Sequence, residues 1–476
     1  MGTFDWILGF INFLLIIFIV FFERKRPGEA LLWVVILTMV PVFGIIFYLV
    51  FGSTLSIKIT YLIRSKKLND EYRKIIYDQL NTLKNSSSDV GTVLNDRIKD
   101  LVLFNLNYSE GMFTAINDVQ IITSGKDKYE KLFYDLEHAK NSIHIVYYGI
   151  YNDSVGKKLV EILTRKASQG VGVRLLYDGV GSLRTPNRMF KPLVKAGGKV
   201  KKLKPFITHF RNHRKIVVID GAIAYTGGMN IGEKYMGLHK KKTPWRDTQI
   251  RIKGDAVFSL QYWFLYDWFY ANSMQKAGLT EKDLQSLFAP HNIKRKLACQ
   301  IVGSGVDTDK EYIKMSFLKM ITSAKDRILL QTPYFIPDDA ILDALKIAAA
   351  SGVKVEIMIP GVNPGFFLQH TGNYYIDQLL EYGVKVYNYN GYIHAKTLTI
   401  DGIATCIGSV NMDIRSLQID DEICAFFYDE QFVGEYERIY ENDKKNSHEM
   451  DYEQFKNRSM WQRGLERFYR IFAPLM

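Results

Sequence analysis

The stretch HRKIVVID, residues 213–220, decides how this chain is read, because HAKTLTID at residues 394–401 repeats its His, Lys and Asp at the same offsets. Each octet has the composition of a short buried strand. Residues i and i+2 of a strand face one side, so His213 points with Lys215 and His394 points with Lys396. Asp220 and Asp401 close the octets, each followed by Gly, where a carboxylate can tie down a turn.

The duplication runs well beyond the octets. YEKLFYDLEHAK, NSIHIVYYGIYND, VGKKLVEILTRKASQG, VGVRLLYDG and MFKPLVKAGGKVKKL alternate helix and strand patterns before the first octet, and YTGGMNIG follows it. EYIKMSFLKMITSAK, DRILLQTPYFIPDD, DDAILDALKIAAASG, VKVEIMIPG and YYIDQLLEYGVKVYNYN repeat that order before the second octet, which leads to CIGSVNMD. Strands alternating with helices of this length predict a layered α/β architecture with a parallel or mixed sheet. Two such halves would pack about a pseudo-two-fold axis, making each octet half of one site.

The chemistry of that site follows from its residue types. One unprotonated imidazole attacks phosphorus and becomes a phosphohistidine, while the other gives a proton to the departing oxygen and then activates the incoming hydroxyl. Lys215 and Lys396 supply fixed positive charge to the non-bridging oxygens. Neither a metal cluster nor another cofactor is expected. Asn230 and Asn411 each lie 17 residues after their histidine, behind the small-residue turns TGGMN and IGSVN. Their amides offer donors to phosphate without adding negative charge.

Bulk composition bounds the partners. A formal charge of +12, from 62 Lys and Arg against 50 Asp and Glu, suits an anionic partner. Cys299, Cys406 and Cys424 have no metal-binding spacing, and an odd, sparse set fits a reducing compartment. Trp6 to Phe22 is apolar and uncharged for 17 residues, and Leu31 to Gly52 for 22 more. Each is near the roughly 20 residues that cross hydrocarbon, which predicts a transmembrane helical hairpin. Arg24, Lys25 and Arg26 in its loop, against Lys58, Arg64, Lys66 and Lys67 after it, narrowly favour a cytoplasmic main domain. The chain then divides into a hairpin (1–52), a connector with a flexible break at 81–91 (53–124), two α/β halves (125–290 and 291–440) and a C-terminal amphipathic segment (441–476). In the last segment Trp461, Leu465, Phe468 and Phe472 share a helical face, with Arg463, Arg467 and Arg470 elsewhere, a pattern suited to an anionic lipid surface. Lys199, Lys201, Lys202 and Lys204, and Lys240, Lys241 and Lys242, would add to it.

Two complete His-x-Lys-x4-Asp octets with their Gly/Ser turns and asparagines resemble the phospholipase D superfamily. The hairpin ending in YLVFG, YYGIYND, TGGMNIG, WRDTQIRIKG, SGVD, QTPYFIPDD, VKVEIMIPG, GYIHAKTLTIDG, GSVNMDIRS and WQRGLERFYRIFAPL are together similar to bacterial cardiolipin synthases. The resemblance implies duplicated phospholipase D-like α/β/α sandwich domains with pseudo-two-fold symmetry behind the transmembrane hairpin. It implies a catalytic set of His213, Lys215, Asp220, His394, Lys396 and Asp401, with the two octet aspartates more structural than chemical. It also implies a carboxylate that orients each imidazole: Asp247 for His213 and Glu422 for His394. Family usage points to His213 as nucleophile, although the residues themselves leave the two roles open. The implied reaction transfers a phosphatidyl group from one phosphatidylglycerol to another, yielding cardiolipin and glycerol. Implied partners are those lipids and an anionic membrane surface, not nucleic acid, with homo-oligomerisation left open. The implied location is the bacterial inner membrane, as a multi-pass protein. Hydrolysis of a phospholipid is the alternative reaction, and a nucleic-acid phosphodiesterase a more distant one. Ile419, Asp420 and Asp421 before Glu422 depart from the family's Leu-Asn-Phe-Glu. Their extra acidity could tune the pocket or repel an anionic acceptor.

Overall fold

The computed structural model describes residues 3–23, 27–48, 55–85, 96–203, 210–237, 244–272, 291–305, 308, 310–363 and 365–473. Arg24 to Arg26, Lys204, Lys240 to Lys242 and residues 86–91 of the expected break lie outside these residues.

In chain order the strands are β1 (Phe113–Ile122), β2 (Ser142–Tyr147), β3 (Gly172–Asp178), β4 (Lys199–Leu203), β5 (Lys215–Ile219), β6 (Ile223–Gly227), β7 (Trp245–Arg246), β8 (Gln249–Gly254), β9 (Lys296–Ser304) and β10 (Arg327–Gln331). They continue with β11 (Phe335–Ile336), β12 (Lys354–Pro360), β13 (Lys385–Tyr389), β14 (Tyr392–Ile393), β15 (Thr397–Ile400), β16 (Ala404–Gly408), β17 (Met412–Asp413), β18 (Glu422–Phe427) and β19 (Ser447–Glu449). Fifteen of these form one sheet, in the order β19-β13-β12-β10-β15-β16-β18-β9-β1-β8-β6-β5-β2-β3-β4. Read outward from the β9–β1 seam, the first half runs β1-β8-β6-β5-β2-β3-β4 and the second β9-β18-β16-β15-β10-β12-β13. The two orders correspond strand for strand. The directions correspond too: β2–β3–β4 and β10–β12–β13 are parallel, and the strands from each octet to the seam are antiparallel. The seam is itself antiparallel, through Phe113 with Gln300 and Thr114 with Cys299.

Alternation along each strand separates two apolar faces. Val146, Leu176, Ile216 and Val218 enter a core that continues through the second half and around the buried helix Ala256–Ala271. Ile145, Tyr147, Leu175, Val217 and Ile219 enter a separate core with Leu132, Leu136, Leu159 and Leu163, which come from the helices Gly125–Glu137 and Ser154–Ser168. On the matching face of the second half, Leu329, Met358 and Tyr387 pack with Tyr440 from the helix Glu430–Lys445. This is the duplicated α/β/α arrangement expected from the sequence, with the two sheets fused into one.

The octet aspartates sit at the far end of β5 and β15 from the histidines. Asp220 (φ 53°) and Asp401 (φ 51°) occupy the left-handed region, and each carboxylate gathers three consecutive backbone N–H groups. Asp220 accepts from Lys140, Asn141 and Ser142 at 2.8, 2.6 and 2.8 Å. Asp401 accepts from Lys325, Asp326 and Arg327, each at 2.8 Å. Hydrogen bonds to a charged acceptor are stronger than neutral ones. Asp220→Ala is therefore expected to lower unfolding stability by about 2 kcal/mol while the folded fraction keeps its turnover number, checked by urea melts beside assays of the same sample.

The expected N-terminal transmembrane hairpin is not found. The helices here are α1 (Thr3–Phe21, 19 residues), α2 (Pro27–Met39, 13 residues) and α3 (Pro41–Phe47, 7 residues). Among the described residues no helix is long and apolar enough to cross a membrane. The second apolar run breaks at Val40 (φ −135°), where Pro41 cannot continue the ladder and instead starts α3. At ~1.5 Å per residue α2 spans only about 20 Å of the roughly 30 Å hydrocarbon thickness. Ile19, Leu37 and Tyr48 pack together with Trp33 and Ile45 in a small core of their own. The expected multi-pass inner-membrane location, and the transmembrane character it rested on, fall with the hairpin.

Candidate active site

The histidines sit just before β5 and β15, where each chain segment leaves its own half and pairs with the other. His213 N donates to Asp421 O and Asp421 N to Arg211 O, both at 2.8 Å. In the mirrored position His394 N donates to Arg246 O at 2.6 Å and Tyr392 N to Pro244 O at 2.8 Å, as β14 runs parallel to β7. Each histidine is thus registered beside the residue preceding the other half's carboxylate.

This register crosses the carboxylates. His213 Nδ1 lies 2.8 Å from Glu422 Oε1, and His394 Nδ1 lies 2.6 Å from Asp247 Oδ2. The expected pairing, Asp247 with His213 and Glu422 with His394, is therefore reversed. The reason is tertiary: a carboxylate just before β8 or at the start of β18 reaches across the interface, not back along its own sheet. Both carboxylates are fully buried, and the two imidazoles are each 12% exposed. Thr248 N donates to Asp247 Oδ1 at 2.7 Å, and Ser409 Oγ donates to Glu422. Gly228 is required beside Asp247, because a Cβ there would lie 2.1 Å from Oδ1.

Buried charges hold the His213 segment from behind. The flanking residues Asn212 and Arg214 both bond Asp267 of the helix Ala256–Ala271, at 2.9 and 2.5 Å. Lys215 Nζ donates to His213 O at 2.6 Å. Lys396 Nζ donates to His394 O and lies 2.9 Å from His394 Nδ1. The loop bearing Asn230 is clamped by Lys128 and Tyr129, which donate to Asn230 O at 3.1 and 2.8 Å. The Asn230 side chain accepts from Gly149 N at 3.0 Å and donates to Tyr235 at 2.7 Å. Asn411 donates to Ser416 at 3.3 Å, and its buried Oδ1 has no hydrogen-bond partner among the described residues. All of these predicted residues meet at one interface except Asp220 and Asp401, which close turns at the other end of their strands.

Burial sets the electrostatics. Desolvation, reinforced by Lys215 and Lys396, holds His213 well below the usual imidazole range. Desolvation and Lys396 hold His394 down at about 3. Neutral imidazoles result, each able to direct Nδ1–H at its carboxylate and leave Nε2 with a lone pair. The carboxylates differ. Burial pushes Glu422 up to about 7, against the pull of Lys215. Asp247 is lowered overall, because His394 and Lys396 outweigh its desolvation. Burial also brings Lys215 down to about 7 and Lys396 to about 8. Among the described residues no His, Cys, Asp and Glu cluster could hold a metal ion.

Asp420 forms a bidentate pair with Arg415 at 2.8 and 3.0 Å, so its acidity is neutralised. Asp421 contributes its backbone to the His213 register. Sequence reading missed Arg415 and its counterpart Lys234, each 21 residues after its histidine, although the shared offset is visible in the chain. Rings border the site as well: Tyr148 lies edge-on to His213 at 4.8 Å, and Trp245 is 5.3 Å from His394.

The family described as "Cardiolipin synthase, PLD-like domain" matches residues 132–253 and 317–444, and "Phospholipase_D-nuclease N-terminal" matches residues 10–53. The major cardiolipin synthase of Bacillus subtilis is 38% identical over 475 residues, covering 98% of this chain and 97% of that protein. The cardiolipin synthase of Oceanobacillus iheyensis is 37% identical over 486 residues, covering 100% of both. The crystal structure of phosphatidylserine synthase from Haemophilus influenzae shares the fold, with a TM-score of 0.61 at 13% identity, covering 79% of this chain and 100% of that one. With two matched domains, full-length relatives and a paired His-Lys site at their interface, the chain belongs to the cardiolipin synthases, phosphatidyltransferases of the phospholipase D superfamily.

Proposed function

We propose that the site moves a phosphatidyl group between two phosphatidylglycerol molecules, with His213 as nucleophile and His394 as general acid and base. The observation that carries this reading is the pair of buried imidazoles, each hydrogen-bonded at Nδ1 to the other half's carboxylate. His394 takes up a proton at Nε2 from solvent as the phosphate anion binds. His213 Nε2 then attacks phosphorus, forming the N–P bond as the P–O bond to glycerol breaks, and His394 hands that proton to the departing oxygen. The hydroxyl of a second phosphatidylglycerol then gives its proton back to His394 and attacks phosphorus, breaking the N–P bond. The unequal carboxylates support this division of labour. Ionised Asp247 stabilises the imidazolium that His394 must become, whereas Glu422, pushed towards its neutral form, leaves His213 an uncharged nucleophile. Lys215 and Lys396 face the non-bridging oxygens, and the Asn230 and Asn411 amides bind the same phosphate.

Contact with an anionic lipid surface fits the helix Met460–Arg470, which leaves Trp461 and Phe468 largely exposed. Phe366 and Phe367 of the neighbouring helix Phe366–Leu380 are exposed beside it and meet Tyr469 edge-on at 5.6 and 4.9 Å. The test of function uses the purified full chain in mixed micelles of phosphatidylglycerol without added metal. Cardiolipin and glycerol in equal amounts are expected, whereas phosphatidic acid with glycerol as the main products would make the enzyme a hydrolase.

The lysines give the reaction an alkaline limit. A lysine lowered to about 7 or 8 is charged below that pH and neutral above it. Phosphate attraction by the free enzyme therefore fades as pH rises through 7–8, and kcat/KM is expected to fall there. The fall in kcat should come at higher pH, because bound phosphate keeps the ammonium groups protonated. Initial rates at subsaturating and saturating lipid between pH 6 and 9.5 would separate the two limbs.

A further inference from the structure

Lys234 and Arg415 occupy equivalent positions, four residues past Asn230 and Asn411, yet their surroundings differ. Arg415 lies on the His213 side, within electrostatic reach of that imidazole, and Asp420 neutralises it. Lys234 lies on the His394 side, within electrostatic reach of His394 and Lys396. Among the described residues no carboxylate pairs with it. Its ammonium instead sits against three rings: Tyr151 at 4.9 Å, Tyr235 at 5.1 Å and Trp245 at 5.2 Å. Tyr235 and Trp245 also border His394, at 6.0 and 5.3 Å. The adjacent Glu233 is turned away, accepting from Ser154 N at 2.9 Å. Aromatic faces attract a cation without cancelling its charge as a carboxylate would, and Lys234 stands in a half-buried place beside the acid–base histidine.

The reaction needs such a charge in one of its two steps. In-line displacement puts both the departing and the entering oxygen opposite His213, on the His394 side. The departing glycerol carries no phosphate. The entering glycerol belongs to a second phospholipid and carries a phosphate at its other end. A cation on this side is idle in the first step and has a partner in the second. No second phosphate stands behind the nucleophile, and there the equivalent cation is cancelled.

We propose that Lys234, in its cage of Tyr151, Tyr235 and Trp245, binds the phosphate of the acceptor phospholipid and so selects phosphatidylglycerol over free glycerol or water in the second step. The inference rests on the assignment of His213 as nucleophile and His394 as acid and base. The test compares two reactions of the full-length Lys234→Met protein. Exchange of labelled glycerol into phosphatidylglycerol needs only the first step and its reverse, with no second phosphate. Cardiolipin formation needs the acceptor. Lys234→Met is expected to lower cardiolipin formation at least tenfold, mainly through KM for the lipid, while glycerol exchange stays within twofold. Lys234→Arg is expected to restore cardiolipin formation. Equal loss of both reactions, or unchanged cardiolipin formation, would overturn the proposal. A wild-type protein that showed neither exchange nor cardiolipin formation would instead defeat the two-step reading beneath it.

Discussion

Substituting either active-site histidine by alanine is expected to lower cardiolipin formation by roughly 10³-fold or more, but at different steps. Covalent and acid–base roles each carry large factors, and in this site each imidazole serves one of them. His213→Ala removes the atom that bonds to phosphorus, so no phosphatidyl-enzyme can form and glycerol exchange stops with synthesis. His394→Ala keeps the nucleophile but leaves the departing glycerol oxygen without a proton donor. The second variant should therefore still attack, slowly, and then stall because nothing deprotonates the acceptor. Alkaline quenching, which preserves an acid-labile phosphohistidine, followed by mass spectrometry is the readout. An adduct on His213 in the His394→Ala protein, with none in His213→Ala, is the expected result. An adduct on His394 in His213→Ala would exchange the two roles.

The crossed carboxylates carry the second large effect. Glu422→Gln and Asp247→Asn are each expected to cost on the order of 10²- to 10⁴-fold, because a histidine that loses its carboxylate loses its tautomer and its orientation, and His394 loses the stabilisation of its charged form as well. The crossing makes the prediction specific. Glu422→Gln should disturb the Nδ1 proton of His213 and leave that of His394 in place, and Asp247→Asn should do the reverse. Nitrogen NMR of protein labelled at its nine histidines reads this directly, and general destabilisation would not reproduce the selectivity. Disturbance of the same-half histidine instead would rule out the crossed arrangement.

Much of this site was legible in the chain because its chemistry is local. The His-x-Lys spacing puts each ammonium within reach of its own histidine where the chain enters β5 or β15, and the 17-residue step to each asparagine spans one hairpin. The turn at Asp220 and Asp401 is local in the same sense, since a positive φ before Gly belongs to one turn, but the N–H groups their carboxylates gather lie 74 to 80 residues back along the chain. The fate of Asp420 was not legible. Its acidity looked like a threat to an anionic acceptor until the fold placed it on Arg415. The N-terminal segment misled for a related reason. Hydropathy registers the apolar run from Leu31 to Gly52 as one span, but a proline breaks a helix through a lost N–H and a steric clash, neither of which is a matter of polarity.

By itself, then, the sequence determined the duplication, the strand and helix alternation, and the inventory of two imidazoles, two ammonium groups, two amides and two carboxylates. Only the tertiary structure decided which carboxylate serves which imidazole, that the two sheets fuse through β1 and β9, and that one of two equivalent cations is paired with a carboxylate while the other rests on aromatic rings. The physical reason lies in range. Strand faces and turns are set by neighbours along the chain, whereas the bonds that orient His213 and His394 join residues 209 and 147 positions apart. Such partners are chosen by the register of packed segments, which no local pattern encodes.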